Sequence, residues 1–277
     1  MMQTQSENIC FGGTQGVYTH ASSRCACDMT FGLFLPAAAK DGPVPLLWYL
    51  SGLTCSHENA MTKAGAQAWA AEQSIALIFP DTSPRGDHVP DDEAYDLGKG
   101  AGFYINANQK PWSKHFKMWD YITAELPEIV GNSFPLDMSR QAITGHSMGG
   151  HGALTMAMSL PGQYRSVSAF SPISNPTVSE WGRKQFNAYL GANETLWSNH
   201  DASLLMQKNG FDGPILIDTG TNDQFLDVLK PEALAHAAAM RRQQIIFRMQ
   251  PDYDHSYYFV SSFMGDHINF HAEALRL

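Results

Sequence analysis

The 277-residue chain is 44% hydrophobic and 16% charged, which supplies a sizeable core and excludes a disordered or fibrous protein. A net charge of −9 argues against nucleic acid and anionic membranes as partners, and it leaves any anionic ligand dependent on local donors. The N-terminus lacks a basic region followed by an apolar one, no apolar run reaches a membrane-span length, and Cys10, Cys25, Cys27 and Cys55 fit no zinc spacing, so a cytoplasmic protein with free thiols is expected.

In chain order, short apolar, β-branched or aromatic runs predict strands at 30–35, 46–50, 76–79, 142–144, 166–170, 214–218 and 245–249. Helix-like stretches lie at 62–72, 116–130, 149–159, 231–242 and 256–276, with Pro231 suited to a first helical turn. Nearly all-apolar strands alternating with helices imply α/β architecture: a mostly parallel central sheet of about eight strands, flanked by helices. No repeat, low-complexity tract or linker-like shift divides the chain, so residues 1–277 are read as one domain without a large lid domain.

Functional groups in such a sheet gather in loops at the carboxyl ends of its strands. The loops there are Ser51-Gly52-Leu53-Thr54-Cys55, Pro80-Asp81-Thr82-Ser83-Pro84-Arg85-Gly86, Gly145-His146-Ser147-Met148-Gly149, Gly220-Thr221-Asn222-Asp223 and Pro251-Asp252-Tyr253-Asp254-His255. The third reads G-x-S-x-G between an apolar run and a helix-like stretch. A nucleophile elbow needs that context, since flanking glycines relieve the crowding of a sharp turn and leave the serine hydroxyl exposed. The pentapeptide alone is a weak signal, so the other catalytic parts decide.

A serine hydroxyl needs a base, and the base an acceptor that fixes its tautomer. Ser147, Asp223 and His255 occur in the order nucleophile, acid, base, each in a strand-end loop. Asp227 lies about a turn further on in a helical segment, Asp218 sits within a strand, and Asp254 adjoins the histidine too closely to orient it. Among eleven histidines, only His255 falls between the last strand and the last helix. His146, adjacent to the nucleophile, is expected to point away and pack under the turn, and His151 likewise only flanks the elbow. His267 and His271 have the i, i+4 spacing of a helical metal pair but no third ligand, so no metal is expected. Backbone N–H groups of Leu53 and Met148 are candidates for an oxyanion hole, although Ser51-Gly52-Leu53 could equally be only a tight turn.

Several blocks together resemble S-formylglutathione hydrolase, the esterase D family of α/β-hydrolases. They are Tyr49-Leu50-Ser51-Gly52-Leu53-Thr54-Cys55, the Pro80–Gly86 loop, Gly100-Ala101-Gly102-Phe103-Tyr104, Gly145 through Leu154, and Tyr253-Asp254-His255-Ser256-Tyr257-Tyr258-Phe259, with Trp181-Gly182 and Asn187-Ala188-Tyr189-Leu190-Gly191. The likeness runs from about residue 30 to the C-terminus. It implies an α/β-hydrolase fold, hydrolysis of S-formylglutathione to formate and glutathione in formaldehyde detoxification, no cofactor, a cytosolic location and often a homodimer. It places the nucleophile, acid and base on Ser147, Asp223 and His255, the oxyanion donors on Leu53 and Met148, and a thiol-reagent-sensitive cysteine on Cys55. Ser56-His57-Glu58-Asn59-Ala60 and Pro251-Asp252 depart from the family pattern, which bears on substrate range.

A formyl group has no side chain, so the acyl pocket should be small and walled by bulky residues, for which Trp181 and Tyr258 are candidates unless they are core packing. Arg85, Lys63, Lys99 and Lys184 are the cations available to glutathione. The rival readings are a broad-specificity carboxylesterase or acyltransferase of the same fold, and a non-catalytic binding protein on a hydrolase scaffold.

Overall fold

Alternation along the strands sets the layers of this protein. In the computed structural model, which describes residues 2–276, Leu46, Trp48 and Leu50 enter one apolar cluster while Leu47 and Tyr49 enter another. Ala76 and Ile78 divide from Leu77 and Phe79 in the same way. Successive side chains of a strand point to opposite faces, so these are the two cores of a sheet covered on both sides.

Nine strands form that sheet: β1 (Gln3–Cys10), β2 (Gly13–Ser22), β3 (Cys27–Leu35), β4 (Val44–Leu50), β5 (Ala76–Pro80), β6 (Leu136–Gly145), β7 (Val167–Phe170), β8 (Ile215–Gly220) and β9 (Ile246–Gln250). Their spatial order is β1-β2-β3-β5-β4-β6-β7-β8-β9. From β5 to β9 every pairing is parallel, whereas β1, β2 and β3 form an antiparallel meander joined to β5. The sheet is therefore α/β and mostly parallel, as expected, with nine strands instead of about eight.

The two beyond the seven segments read from the sequence are β1 and β2. Every residue of β1 is exposed except the half-buried Cys10, so no apolar periodicity marks it. It is a strand because its backbone pairs with β2 from Gln3↔Thr19 to Cys10↔Gly13.

The segment 62–72 is two helices, His57–Lys63 and Ala66–Gln73, separated at Gly65 with φ 67°. The predicted helix at 116–130 starts at Met118, passes through a π turn at Tyr121–Glu125 and ends at Ser133. Pro127 lacks the N–H that a regular turn would donate to Thr123, and the chain widens just before it. Helices Glu180–Leu190 and Ala202–Lys208 were not expected. Because β4 to β9 run the same way, the loops after β4, β6, β8 and β9 share one edge.

Candidate active site

At that edge β6 ends on Gly145, and the helix Met148–Ser159 begins directly after Ser147. Ser147 has φ 58° and ψ −118°, a conformation that side chains rarely adopt. A Cβ on Gly145 would strike the Gly149 carbonyl, and one on Gly149 would strike the Leu50 carbonyl. The flanking glycines are thus required by close backbone approach. The turn is pinned by Ser147 N–H donating to Phe170 O at 2.9 Å and His146 N–H to Leu50 O at 3.0 Å.

Asp223 and His255 ride on the loops after β8 and β9, which are stitched together. Thr221 N–H donates to Gln250 O (2.9 Å), Asn222 N–H to Tyr253 O (3.0 Å) and Asp252 N–H to Thr221 Oγ1 (2.9 Å). Asp252 has φ 65°, a left-handed conformation that a short polar side chain tolerates, so this departure from the family pattern keeps the bend of the loop.

His255 Nδ1–H donates to Asp223 Oδ2 at 2.7 Å, and Phe225 N–H donates to Asp223 Oδ1 at 2.9 Å. Burial pushes the Asp223 carboxyl up, but the His255 hydrogen bond and charge and the Phe225 N–H together hold it below its ordinary value. The bond at Nδ1 leaves Nε2 as the nitrogen free to take a proton. The Ser147 hydroxyl makes no hydrogen bond to that ring among the described residues, and such links commonly tighten only with substrate bound.

Ser147, His255, Leu53, Cys55 and Trp181 all line one cavity of about 320 Å³, along with Gly52, Thr54, Tyr95, His146, Gln224, Phe225 and Tyr257. A Cβ on Gly52 would lie 3.2 Å from Ser147 Cβ, which shows how closely the Ser51–Leu53 loop approaches the elbow. Neither the Leu53 nor the Met148 N–H enters a turn, loop or cap hydrogen bond among the described residues. Both are available to an oxyanion.

Other expectations are corrected. Tyr258 does not wall the pocket: it is 85% exposed, and its neighbour Tyr257 lines the cavity instead. Consecutive residues of a helix point about 100° apart, and the C-terminal helix, Tyr257–Arg276, begins one residue later than expected. His146 does not pack away from the site, since its ring lies 4.5 Å from that of His255.

Three of the four candidate cations are engaged. Arg85 Nε binds Asp81 Oδ2 at 2.8 Å while its Nη2 donates to Cys55 O at 2.9 Å. Lys184 pairs with Asp96 at 2.5 Å and Lys99 with Asp91 at 3.7 Å. Burial pushes the Cys55 thiol up, so it shares the cavity with Ser147 as a neutral thiol. The departing block Ser56–Asn59 forms a capping box: Glu58 N–H donates to Ser56 Oγ, and Ser56 N–H to Asn59 Oδ1.

His267 and His271 face the core. His271 Nδ1 and Nε2 lie 2.7 and 2.8 Å from Ser166 Oγ and Ser168 Oγ; Ser168 Oγ also lies 2.8 Å from His267 Nδ1 and 2.7 Å from Thr144 Oγ1. His267 Nε2 is 3.2 Å from Asp218 Oδ2, and Arg248 grips the same carboxylate, Nε donating to Oδ1 and Nη2 to Oδ2, each at 2.6 Å.

Burial holds both rings neutral, and the carboxylate can only accept, so the proton order is determined. His267 Nε2–H donates to Asp218, and Ser168 O–H donates to His267 Nδ1. His271 Nε2–H and Thr144 O–H donate to Ser168, and Ser166 O–H donates to His271 Nδ1. Ser168, His267 and Asp218 repeat the residue types of a catalytic relay, but each is 0% exposed and no substrate reaches them. With every ring nitrogen engaged, the pair has no lone pair free for a cation. A larger hollow of about 1060 Å³ between Met158, Phe211 and Phe270, at the opposite end of the strands, is lined by no histidine.

The esterase family profile matches residues 22–270 of the chain. The chain is 64% identical to an S-formylglutathione hydrolase of Paracoccus denitrificans, over 99% of its own length and 98% of that protein's. A solved S-formylglutathione hydrolase from Agrobacterium tumefaciens is 45% identical and superposes with a TM-score of 0.96, covering 98% of this chain and 99% of that one. FphF, a fluorophosphonate-binding serine hydrolase of Staphylococcus aureus, is 20% identical with a TM-score of 0.75 over 94% of this chain and 98% of its own, a likeness of fold alone.

Proposed function

The chain belongs to the S-formylglutathione hydrolase family of esterases, and from that premise we propose that it cleaves S-formylglutathione through Ser147, His255 and Asp223. The observation that carries the assignment is the 2.7 Å bond from His255 Nδ1 to Asp223, with His255 and Ser147 lining one cavity. Ser147 Oγ attacks the formyl carbon as His255 Nε2 takes its proton, and the N–H groups of Leu53 and Met148 hold the oxyanion. Collapse breaks the C–S bond, and the departing sulfur receives the proton from His255, so glutathione leaves as a thiol. A water then gives a proton to His255 and its oxygen to the formyl ester. The second collapse returns that proton to Ser147 Oγ and releases formate. No step calls for a cofactor.

Trp181 and Phe225, with ring centroids 5.0 Å apart, narrow the cavity beside His255. That narrowing suits an acyl group without a side chain, and each excess methylene should cost on the order of 1–3 kcal/mol. The four unpaired cysteines suit a reducing compartment, in keeping with a cytoplasmic location. A homodimer fits the family and is tested by sedimentation. Ser147→Ala is expected to abolish turnover of S-formylglutathione in steady-state assays, and near-normal turnover by the purified variant would overturn the nucleophile assignment.

A further inference from the structure

The imidazole of His255 is held at Nδ1 by Asp223, but a single hydrogen bond leaves a ring free to swing about that point. Two other rings close it in. Phe225 stands edge-on at 5.0 Å and 85°, and His146 lies across it at 4.5 Å and 41°. Behind His146 stands Tyr257, 5.6 Å away at 61°. The backbone of His146 is fixed independently, by its N–H to Leu50 O and its bridge to Phe170 in β7.

The nitrogens of His146 do not account for its presence. Nδ1 and Nε2 are both buried, and among the described residues neither has a partner at full hydrogen-bond geometry, the backbone of His255 making only a weak approach, an expensive arrangement that calls for an explanation. Burial, reinforced by the neighbouring His255 and opposed more weakly by the Asp223 charge and the His255 backbone, pushes its pKa well down, so the ring remains neutral.

We propose that His146 is a positioning residue whose ring face, not its nitrogens, holds the His255 imidazole with Nδ1 toward Asp223 and Nε2 toward Ser147. The proposal rests on reading His255 as the base. A neutral aromatic face at this distance also suits His255 when it becomes an imidazolium, whereas a charged neighbour would repel it. Because the nitrogens have no full hydrogen-bond partner among the described residues, a phenyl ring should replace the imidazole at little loss, and an alanine should not.

The test compares His146→Ala and His146→Phe, with Ser147→Ala and His255→Ala as controls, in S-formylglutathione kinetics and in the ¹H NMR resonance of the proton between His255 and Asp223. His146→Ala is expected to lower kcat by about 10–100-fold, the scale on which small misplacements act, with KM changed less than about two-fold and the resonance broadened. His146→Phe is expected to recover kcat to within about three-fold and to keep the resonance. Full kcat in His146→Ala, or an equal loss in His146→Phe, overturns the clamp. Turnover by either control would instead remove the reading on which it rests.

Discussion

Asp223 keeps its charge in a place where burial alone would remove it. Its side chain is 0% exposed, and its ionised form survives through the donors converging on it, His255 Nδ1–H and Phe225 N–H. Asparagine retains the shape but presents an amide that can flip its donor toward His255, which favours the wrong tautomer. Asp223→Asn is therefore expected to lower kcat on the order of 10³–10⁴-fold with little change in KM, and a loss under about ten-fold would contradict the role given to the carboxylate. That His255 would meet Asp223 and share a cavity with Ser147 was legible because their order and their loops are linear properties of the chain. Tyr257 and His146 were not: which of two adjacent tyrosines faces inward depends on where a helix starts, and the direction of the His146 ring depends on a loop more than 100 residues away.

Elements were legible where burial imposed a period. β4 and β5 read as strands because both of their faces are buried in apolar cores, whereas β1 is polar from Gln3 to Asn8, exposed as far as Ile9, and leaves no pattern. The break at Gly65 was hidden for a related reason, since alanines on both sides continue the helix-like composition across it. At the elbow the element-level constraint is backbone contact. The helix Met148–Ser159 can follow β6 so abruptly only because Gly149 lets it press on Leu50 and Ser51 of the neighbouring strand and loop. Gly149→Ala is expected to destabilise the protein by about 1–3 kcal/mol, read as a lower urea midpoint at unchanged slope. An unaltered midpoint would show that the helix can shift without cost.

Taken whole, the molecule encloses several imidazoles. His146, His151, His267 and His271 are buried, and burial pushes each below the ordinary value of 6.5, His151 to about 3. Below pH 6.5 the unfolded chain protonates these rings and the folded chain does not. Their contribution is thus complete above pH 6.5 and is lost as pH falls toward the folded values, at up to about 1.4 kcal/mol per pH unit for each ring. Asp218 and Asp223, held below the ordinary carboxylate value, add a second loss at lower pH. Urea midpoints are expected to decline steadily from pH 6.5 to pH 4.5, and a flat profile across that window would refute the account. The histidine count was visible in the sequence, but which rings the sheet and its last helix would seal away was not. One further consequence belongs to Ser147, at φ 58° and ψ −118°. A conformation of this kind costs about 1–3 kcal/mol, which only a glycine would relieve. With Ser147 as the proposed nucleophile, relaxing that turn would remove the attacking hydroxyl, so mutation cannot improve durability there without ending turnover, and selection for heat resistance must act at other positions.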